Sequence, residues 1–374
     1  MVRKKNEKMK NICLVSITAS HYRKLIYSLM DQKLNCDFVF GKDNTTVKRL
    51  NTSIFRHSFD IDNYYLADTN CYVQIKLTKL TDKYDVVIND LGIYCLSAWK
   101  ILLLSRLKKQ KVYNWDHGWY GREGFLKKWI KRAYFSLADG AFIYGNYARN
   151  LMIQNGFVAE KLHVIHNSLD YDKQLILRNE IVPSNVYKDY FDNNYPVICF
   201  IGRLTAVKKL DQILDALDIL KKKGNFYNCV FIGDGSERIS LEKKVVEYGL
   251  DKYVWFYGAC YDEKTNAELI FNADLCVAPG NIGLTAIHAM MFGCPCISHS
   301  DFPWQMPEFE AIHENKTGSF FQKDNVKDLA ECIFKWFAEK NNQREEVRKA
   351  CFKEIDENWN PYKQLEIIRS VIYE

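Results

Sequence analysis

The sequence predicts an α/β protein built from two parallel-sheet domains, and three observations predict it. The chain has 374 residues, more than one typical domain needs and comfortable for two. Apolar residues make up 48% and charged residues 26%, so each half can bury a core of its own. Short apolar, β-branched runs alternate with stretches of helical length along nearly the whole chain, which is the pattern of βαβ units.

The elements follow in order. The chain opens on a basic stretch, Met1 to Lys10, and then an apolar run over 12–17. That run is too short for the apolar region of a secretory leader and reads as a first buried strand. Further strands are expected at 36–40, 53–59, 85–90, 111–115, 140–145 and 163–167, with helices at 22–33, 65–81, 93–109, 123–138 and 146–155. Residues 168–195 are polar, lack a clear strand and end at Pro196, so they read as the joint. Beyond it, strands are expected at 196–202, 228–235, 253–258, 274–280 and 295–300, with helices at 208–223, 237–248, 263–272, 284–292 and 326–340. The closing segment is helical with a break at Asn360-Pro361.

Charge and cysteine usage narrow the function classes. Residues 1–175 carry 28 Lys+Arg against 16 Asp+Glu, while the remainder is acidic. A basic half suits anionic lipid, phosphorylated acceptors or nucleic acid. No helix-turn-helix, zinc-finger or RNA-binding fingerprint is present, so nucleic acid is not an expected partner. None of the 12 cysteines forms a Cys-x-x-Cys pair, and most lie in apolar strand-like runs, as buried thiols in a reducing compartment do. No run of 18 apolar residues exists, so no spanning helix is expected. Asp60-Ile61-Asp62 matches a metal-site pattern, but a lone match among 46 acids reads as a solvated loop.

The chemistry collects at strand ends of the second half. Gly202-Arg203-Leu204-Thr205-Ala206-Val207-Lys208 follows a buried strand and opens a helix. Open α/β sheets bind ligands there, and two cations can converge on a diphosphate, Arg203 as a fork and Lys208 as a point charge. Gly233-Asp234-Gly235 ends the next strand. Gly280-Asn281-Ile282-Gly283-Leu284-Thr285-Ala286-Ile287-His288 ends a third and leads into a helix, whose N-terminus favours anions. Together these describe a nucleotide-diphosphate site.

In order and spacing, GRLTAVK (202–208), GDG (233–235), FYG (256–258), GNIGLTAIH (280–288) and GCP (293–295) resemble the donor-binding domain of retaining glycosyltransferase family four. HVIHNSLD (163–170) is similar to that family's hinge and WDHGWYG (115–121) to the strand end carrying its active-site histidine. The resemblance implies a GT-B fold, with two Rossmann-like domains facing across a cleft. It implies an N-terminal acceptor-binding domain over 1–170, a linker over 171–195, a nucleotide-sugar domain over 196–355 and a helix over 356–374 crossing back. It implies transfer of a sugar with retention, no metal, no cofactor beyond the nucleotide-sugar substrate, and a saccharide or lipid-linked saccharide acceptor, as in bacterial surface polysaccharide assembly. His117, Arg203 and Lys208 take the catalytic roles. Gly202, Arg203, Lys208, Gly233, Asp234, Gly235, Asn281, Gly283, Leu284, Thr285, His288 and Glu308 take the donor.

Two departures stand out. The family's Glu-x7-Glu pair falls on Gly280 and His288, so both carboxylates are missing. An imidazole can still bond the ribose as donor or acceptor, while Asn281 or Glu308 is left to touch the donor sugar. The family's glycine-rich first loop is replaced by Thr18-Ala19-Ser20-His21-Tyr22-Arg23. His21, Tyr22 and Arg23 there suit an acceptor or phosphate, or else follow a helix N-cap at Ser20 as ordinary surface residues. Over 99–135, cations interleave with Trp99, Phe125, Trp129 and Phe135. The pattern fits helices lying on an anionic membrane as well as ordinary helices with lysines in water. The expected location is cytoplasmic, peripheral on the inner face of the membrane in the first case. A nucleotide-sugar epimerase and a catalytically inactive donor-binding subunit remain the competing functions.

Overall fold

The structure is a computed structural model and describes residues 10–42 and 48–373. The basic opening residues 1–9 lie outside the described residues. The chain divides into two units, Met1–Asp170 with Pro361–Glu374, and Tyr171–Asn360.

Unit 1 runs β1 (Ile12–Ser16), α1 (Lys24–Leu34), β2 (Cys36–Lys42), β3 (Ser58–Tyr65), β4 (Tyr72–Gln74), α2 (Leu77–Thr81), β5 (Val86–Asp90), α3 (Leu96–Lys108), β6 (Lys111–Asp116), α4 (Phe125–Leu137), β7 (Gly140–Ile143), α5 (Asn146–Gln154) and β8 (Leu162–Val164). Its eight-stranded sheet has the order β4-β3-β2-β1-β5-β6-β7-β8. All pairings are parallel except β3 with β4. Parallel strands covered on both faces must be apolar throughout, and ICLVS of β1 is fully buried. Alternate residues of β1 feed separate cores, Cys13 and Val15 into one and Ile12 and Leu14 into the other. Asn35, left-handed at φ 50, ends α1.

Unit 2 runs α6 (Tyr171–Glu180), α7 (Val186–Phe191), β9 (Val197–Ile201), α8 (Asp211–Lys222), β10 (Asn228–Ile232), α9 (Arg238–Glu247), β11 (Val254–Gly258), α10 (Glu263–Asn272), β12 (Leu275–Ala278), α11 (Leu284–Met291), β13 (Cys296–His299), β14 (Gly318–Phe321), α12 (Val326–Lys340) and α13 (Arg344–Asn358). Its six strands are parallel in the order β11-β10-β9-β12-β13-β14. The last helix, α14 (Pro361–Tyr373), belongs to unit 1, where Ile368 and Ile372 enter the core beside Ile26 and Met30 of α1. Pro361 starts α14 where its missing N–H costs nothing.

Several expectations differ from what is seen. The strand expected over 53–59 begins only at Ser58 and runs on through Asp60 and Asp62, expected as a loop, because β3 pairs with β2 from Phe38 to Lys42. The helix expected over 65–81 is largely β4 and the short α2, because Tyr72 is buried and its hydroxyl donates to the Leu91 carbonyl at 2.8 Å. The segment 171–195 is no open linker. It folds as α6 and α7 within unit 2, held by polar bonds that hydrophobic periodicity does not reveal: Gln174 to Glu263 at 2.7 Å and the Tyr187 hydroxyl to the Leu269 carbonyl at 2.6 Å. Strand β14 has four residues and follows a stretch with no clear pattern.

Candidate functional site

In unit 2 the strand order reverses at β9, which has β10 on one side and β12 on the other. Such switch points are where open sheets bind ligands. The three glycine-bearing loops meet at this end. The Leu204 amide donates to the Asp234 carbonyl at 3.0 Å, and the Gly280 amide to the Lys208 carbonyl at 3.0 Å. The contacts need glycine. A Cβ on Gly233 would lie 1.9 Å from the Gly202 oxygen, and one on Gly280 would lie 2.1 Å from the Val207 oxygen. At Gly280 the Lys208 loop occupies the space a side chain would need.

The charged residues expected from the sequence gather on this frame. Lys208 Nζ donates to Asn281 twice, at 2.7 Å to its carbonyl and 2.9 Å to Oδ1. Burial pushes Lys208 down to about 8, against the opposing pull of Glu308, while the Arg203 charge lowers it further. Arg203, exposed in the loop after β9, and Glu308, 2% exposed in the 3-10 turn Pro307–Ala311, act on Lys208 from different elements. Asn281 thus fixes Lys208. Thr285 Oγ1 donates to the Ile201 carbonyl at 2.9 Å and ties the start of α11 to the end of β9. Gln305, which sequence reasoning missed, accepts from the Ile282 amide at 2.9 Å and donates to Ser298 and the His299 carbonyl. His288 Nε2 meets Glu263 Oε1 at 2.9 Å, a partner that sequence reasoning also missed because α10 lies far off in sequence.

Unit 1 has its own switch point, between β1 and β5. Arg23 sits there but is buried. It donates to Asp90 at 2.5 Å, to the Tyr27 hydroxyl at 3.3 Å and to the Tyr144 hydroxyl. Burial opposes the Arg23 charge, but Asp90 together with Tyr144, Tyr22 and Tyr27 outweighs it and keeps the guanidinium protonated. His21 is exposed and Tyr22 half-buried, beside one another in a single 3-10 turn, and Ser20 makes no side-chain cap to it.

His117 follows β6. Its ring lies 4.8 Å from that of Tyr144 and stacks on Tyr120 at 5.9 Å. Burial, then the charges of Arg23 and Lys131, push it down to about 4, so the imidazole is neutral at pH 7. Its buried Nδ1 has no hydrogen-bond partner among the described residues. Buried polar atoms seldom stay unsatisfied in a native protein without a ligand or water to meet them. The loop bearing His117 is clamped by an ion pair the sequence did not advertise. Lys131 Nζ donates to the Gly118 carbonyl at 2.5 Å and to Glu123 at 2.9 Å, and Glu123 accepts from the Tyr120 and Gly121 amides. Lys131 is therefore 5% exposed and no part of a surface charge cluster. Asp60 and Asp62 lie on β3 and pair with Arg49 at 2.6 Å and Lys42 at 3.3 Å. Among the described residues no helix is long and apolar enough to cross a membrane.

Comparison with known proteins matches a family model over most of unit 2. Residues 187–354 match the family described as glycosyl transferases group 1, which shows the resemblance read from the sequence over that segment. The chain is 22% identical over 178 residues to poly(ribitol-phosphate) alpha-N-acetylglucosaminyltransferase of Staphylococcus aureus, an alignment covering 47% of this chain and 34% of that protein. It is 33% identical over 99 residues to the GDP-mannose-dependent alpha-(1-6)-phosphatidylinositol dimannoside mannosyltransferase of Mycobacterium tuberculosis, covering 26% of this chain and 25% of that one. The matched segments thus span about a quarter to a third of these two relatives. Among solved structures, Anabaena HepE in complex with UDP superposes with a TM-score of 0.73 at 16% identity, covering 97% of this chain and 99% of that one. The lipopolysaccharide outer core galactosyltransferase WaaB in its apo form gives 0.71 at 14%, covering 97% and 99%. The fold is GT-B, two parallel-sheet α/β domains.

Proposed function

We propose that the protein is a glycosyltransferase that moves a sugar, with retention, from a nucleotide-sugar to a saccharide or lipid-linked saccharide. The observation that carries this reading is the gathering of Arg203, Lys208 and Asn281 on glycine loops at the β9/β12 switch point, with Glu308 of the 3-10 turn Pro307–Ala311 acting on Lys208. Arg203 and Lys208 stabilise the diphosphate as it leaves, a developing charge met by preorganised cations. Gly283 and the first turn of α11 add a helix N-terminus to the same anion. In unit 1, His117 offers Nδ1 to a sugar hydroxyl, and His21 and Tyr22 stand at the β1/β5 switch point for the acceptor, with Arg23 buried behind them. The UDP in the HepE complex and the GDP-mannose in the mycobacterial relative's name support a nucleoside diphosphate donor. The names of the staphylococcal relative and of WaaB support a role in surface polysaccharide assembly.

The test is a screen of UDP- and GDP-sugars for thermal stabilisation and slow donor hydrolysis, in excess chelator. At least one donor should raise the melting temperature and be hydrolysed without metal. No response to any donor overturns the reading. Response only after magnesium or manganese is restored overturns the metal-free mechanism and returns attention to Asp60 and Asp62.

Residues 99–135 support docking on an anionic lipid surface on the cytoplasmic face of a membrane. On α4, Phe125, Leu126 and Trp129 are 79%, 72% and 59% exposed, beside Lys127, Lys128 and Arg132, and Leu107 of α3 is 81% exposed. An apolar face rimmed by cations suits the headgroup boundary. Sedimentation with phosphatidylglycerol vesicles should be strong at low salt and weaken as salt screens the attraction. Binding that survives Trp129→Ala together with Lys127→Ala and Lys128→Ala removes this surface from the account.

A further inference from the structure

We propose that Glu263, in the first turn of α10, supplies the carboxylate of the donor-ribose subsite, held in place by His288. The inference rests on unit 2 binding a nucleoside diphosphate. On α11, Leu284, Thr285 and His288 form the half-buried face, while their neighbours Ala286, Ile287, Ala289 and Met290 are buried. Thr285 is tied to the end of β9. The face therefore starts at the diphosphate frame, and His288 lies one helical turn along it, about 5 Å away, the step from a diphosphate to its ribose.

The group that His288 presents is half of a pair. Its Nε2 meets Glu263 Oε1 at 2.9 Å, and the same oxygen accepts from Gln174 Nε2 at 2.7 Å. Both side chains keep a fraction of their surface open, 16% for His288 and 19% for Glu263. Burial raises the Glu263 carboxyl, but His288, Gln174 and Asn266 together outweigh it and hold it below its ordinary value. An ionised carboxylate there is acceptor-only. His288 and Gln174 take Oε1 and the Asn266 side chain also bonds the carboxylate, so of its roughly four acceptor positions one is left for a further donor. An anion beside a diphosphate repels phosphate, so the partner it selects is neutral and rich in O–H donors. The vicinal hydroxyls of a ribose meet that description. His288, its Nε2 engaged, is the positioning residue. It fixes the carboxylate from α11 as Gln174 fixes it from α6. The carboxylate absent from position 288 is thus carried by α10.

Calorimetric titration with UDP, GDP and their 2′-deoxy counterparts tests this. Wild type should bind one ribonucleotide about ten- to hundred-fold more tightly than its deoxy form, the scale for a hydrogen bond to a charged group. Glu263→Gln should keep the melting temperature within a few degrees, bind the deoxy form as before, and lose most of the ribose preference. The double variant Glu263→Gln with His288→Glu should regain preference, because the carboxylate reappears on α11. Glu263→Gln with an unchanged preference overturns the inference while leaving donor binding intact. Equal weakening of ribo and deoxy forms also overturns it, since that marks a structural role. Failure of wild type to bind either diphosphate overturns both this inference and the donor reading on which it rests.

Discussion

Each unit brings cations to the switch point of a parallel sheet, and the two do opposite things with them. In unit 1 the guanidinium of Arg23 is buried and committed to Asp90, Tyr27 and Tyr144. In unit 2 Arg203 is exposed, and Lys208 is held by the oxygens of the neutral Asn281, its charge diminished by burial. A buried cation committed to a buried carboxylate fixes a strand end, whereas Lys208, tethered by an amide side chain and a backbone carbonyl and only half-buried, is placed to meet a ligand. The comparison teaches that position at a strand end does not by itself set what a cation does, and that burial and a buried carboxylate partner mark the structural one.

The largest expected effect tests the committed side. Arg23→Ala leaves Asp90 buried without its cation and should destabilise unit 1 by about 3–5 kcal/mol. A urea unfolding curve matching wild type would break the contrast. Arg203→Ala and Lys208→Ala should each leave stability nearly unchanged and cut turnover by about 10²–10³, or about 2.7–4 kcal/mol. Kinetics near wild type in both variants would remove their assignment. Next comes the frame. Gly280→Ala places a Cβ 2.1 Å from the Val207 oxygen, so the Lys208 loop must move, at about 1–3 kcal/mol of stability together with weaker diphosphate binding. A crystal structure of that variant with the loop unmoved would show the close approach to be unimportant.

The smallest effect is a pH dependence. Lys208 sits at about 8 in the free protein, and a bound diphosphate raises it by favouring the charged form. Binding therefore takes up a proton above that pH, and affinity should fall by up to about tenfold per unit on the alkaline side. For folding the sign is reversed. The lysine is depressed from its ordinary 10.5, so its burial costs stability at neutral pH, and the cost is relieved as pH rises from about 8 toward the unfolded value. Titration of diphosphate affinity from neutral to alkaline pH, in wild type and Lys208→Arg, checks this. The arginine variant should show no such fall.

Much of this was legible in the sequence, and the remainder has a common cause. Strands such as PVICFIG and NCVFIGDG announce themselves because parallel strands buried on both faces must be continuously apolar. The glycine loops and their cations were legible because they are contiguous in the chain. What stayed hidden depends on partners distant in sequence. Asp90 neutralises Arg23 across 67 residues, Glu263 meets His288 across 25, and Gln174 meets Glu263 across 89. Lys131 looked like a surface cation until Glu123 and the Gly118 carbonyl were seen to hold it inside. Polar helices such as α6 were missed for the same reason, since specific bonds hold them and periodicity records only apolar faces.

The central claim is that the β9/β12 switch point of unit 2 is a diphosphate site built from Arg203 and Lys208. Calorimetric titration of UDP and GDP in excess chelator, into wild type and into the Arg203→Ala, Lys208→Ala double variant, tests it most directly. The account predicts that wild type binds one of the two without metal, and that the double variant loses about 10²-fold or more in affinity at an unchanged melting temperature. Equal binding by the two proteins, or no binding by wild type, would contradict it.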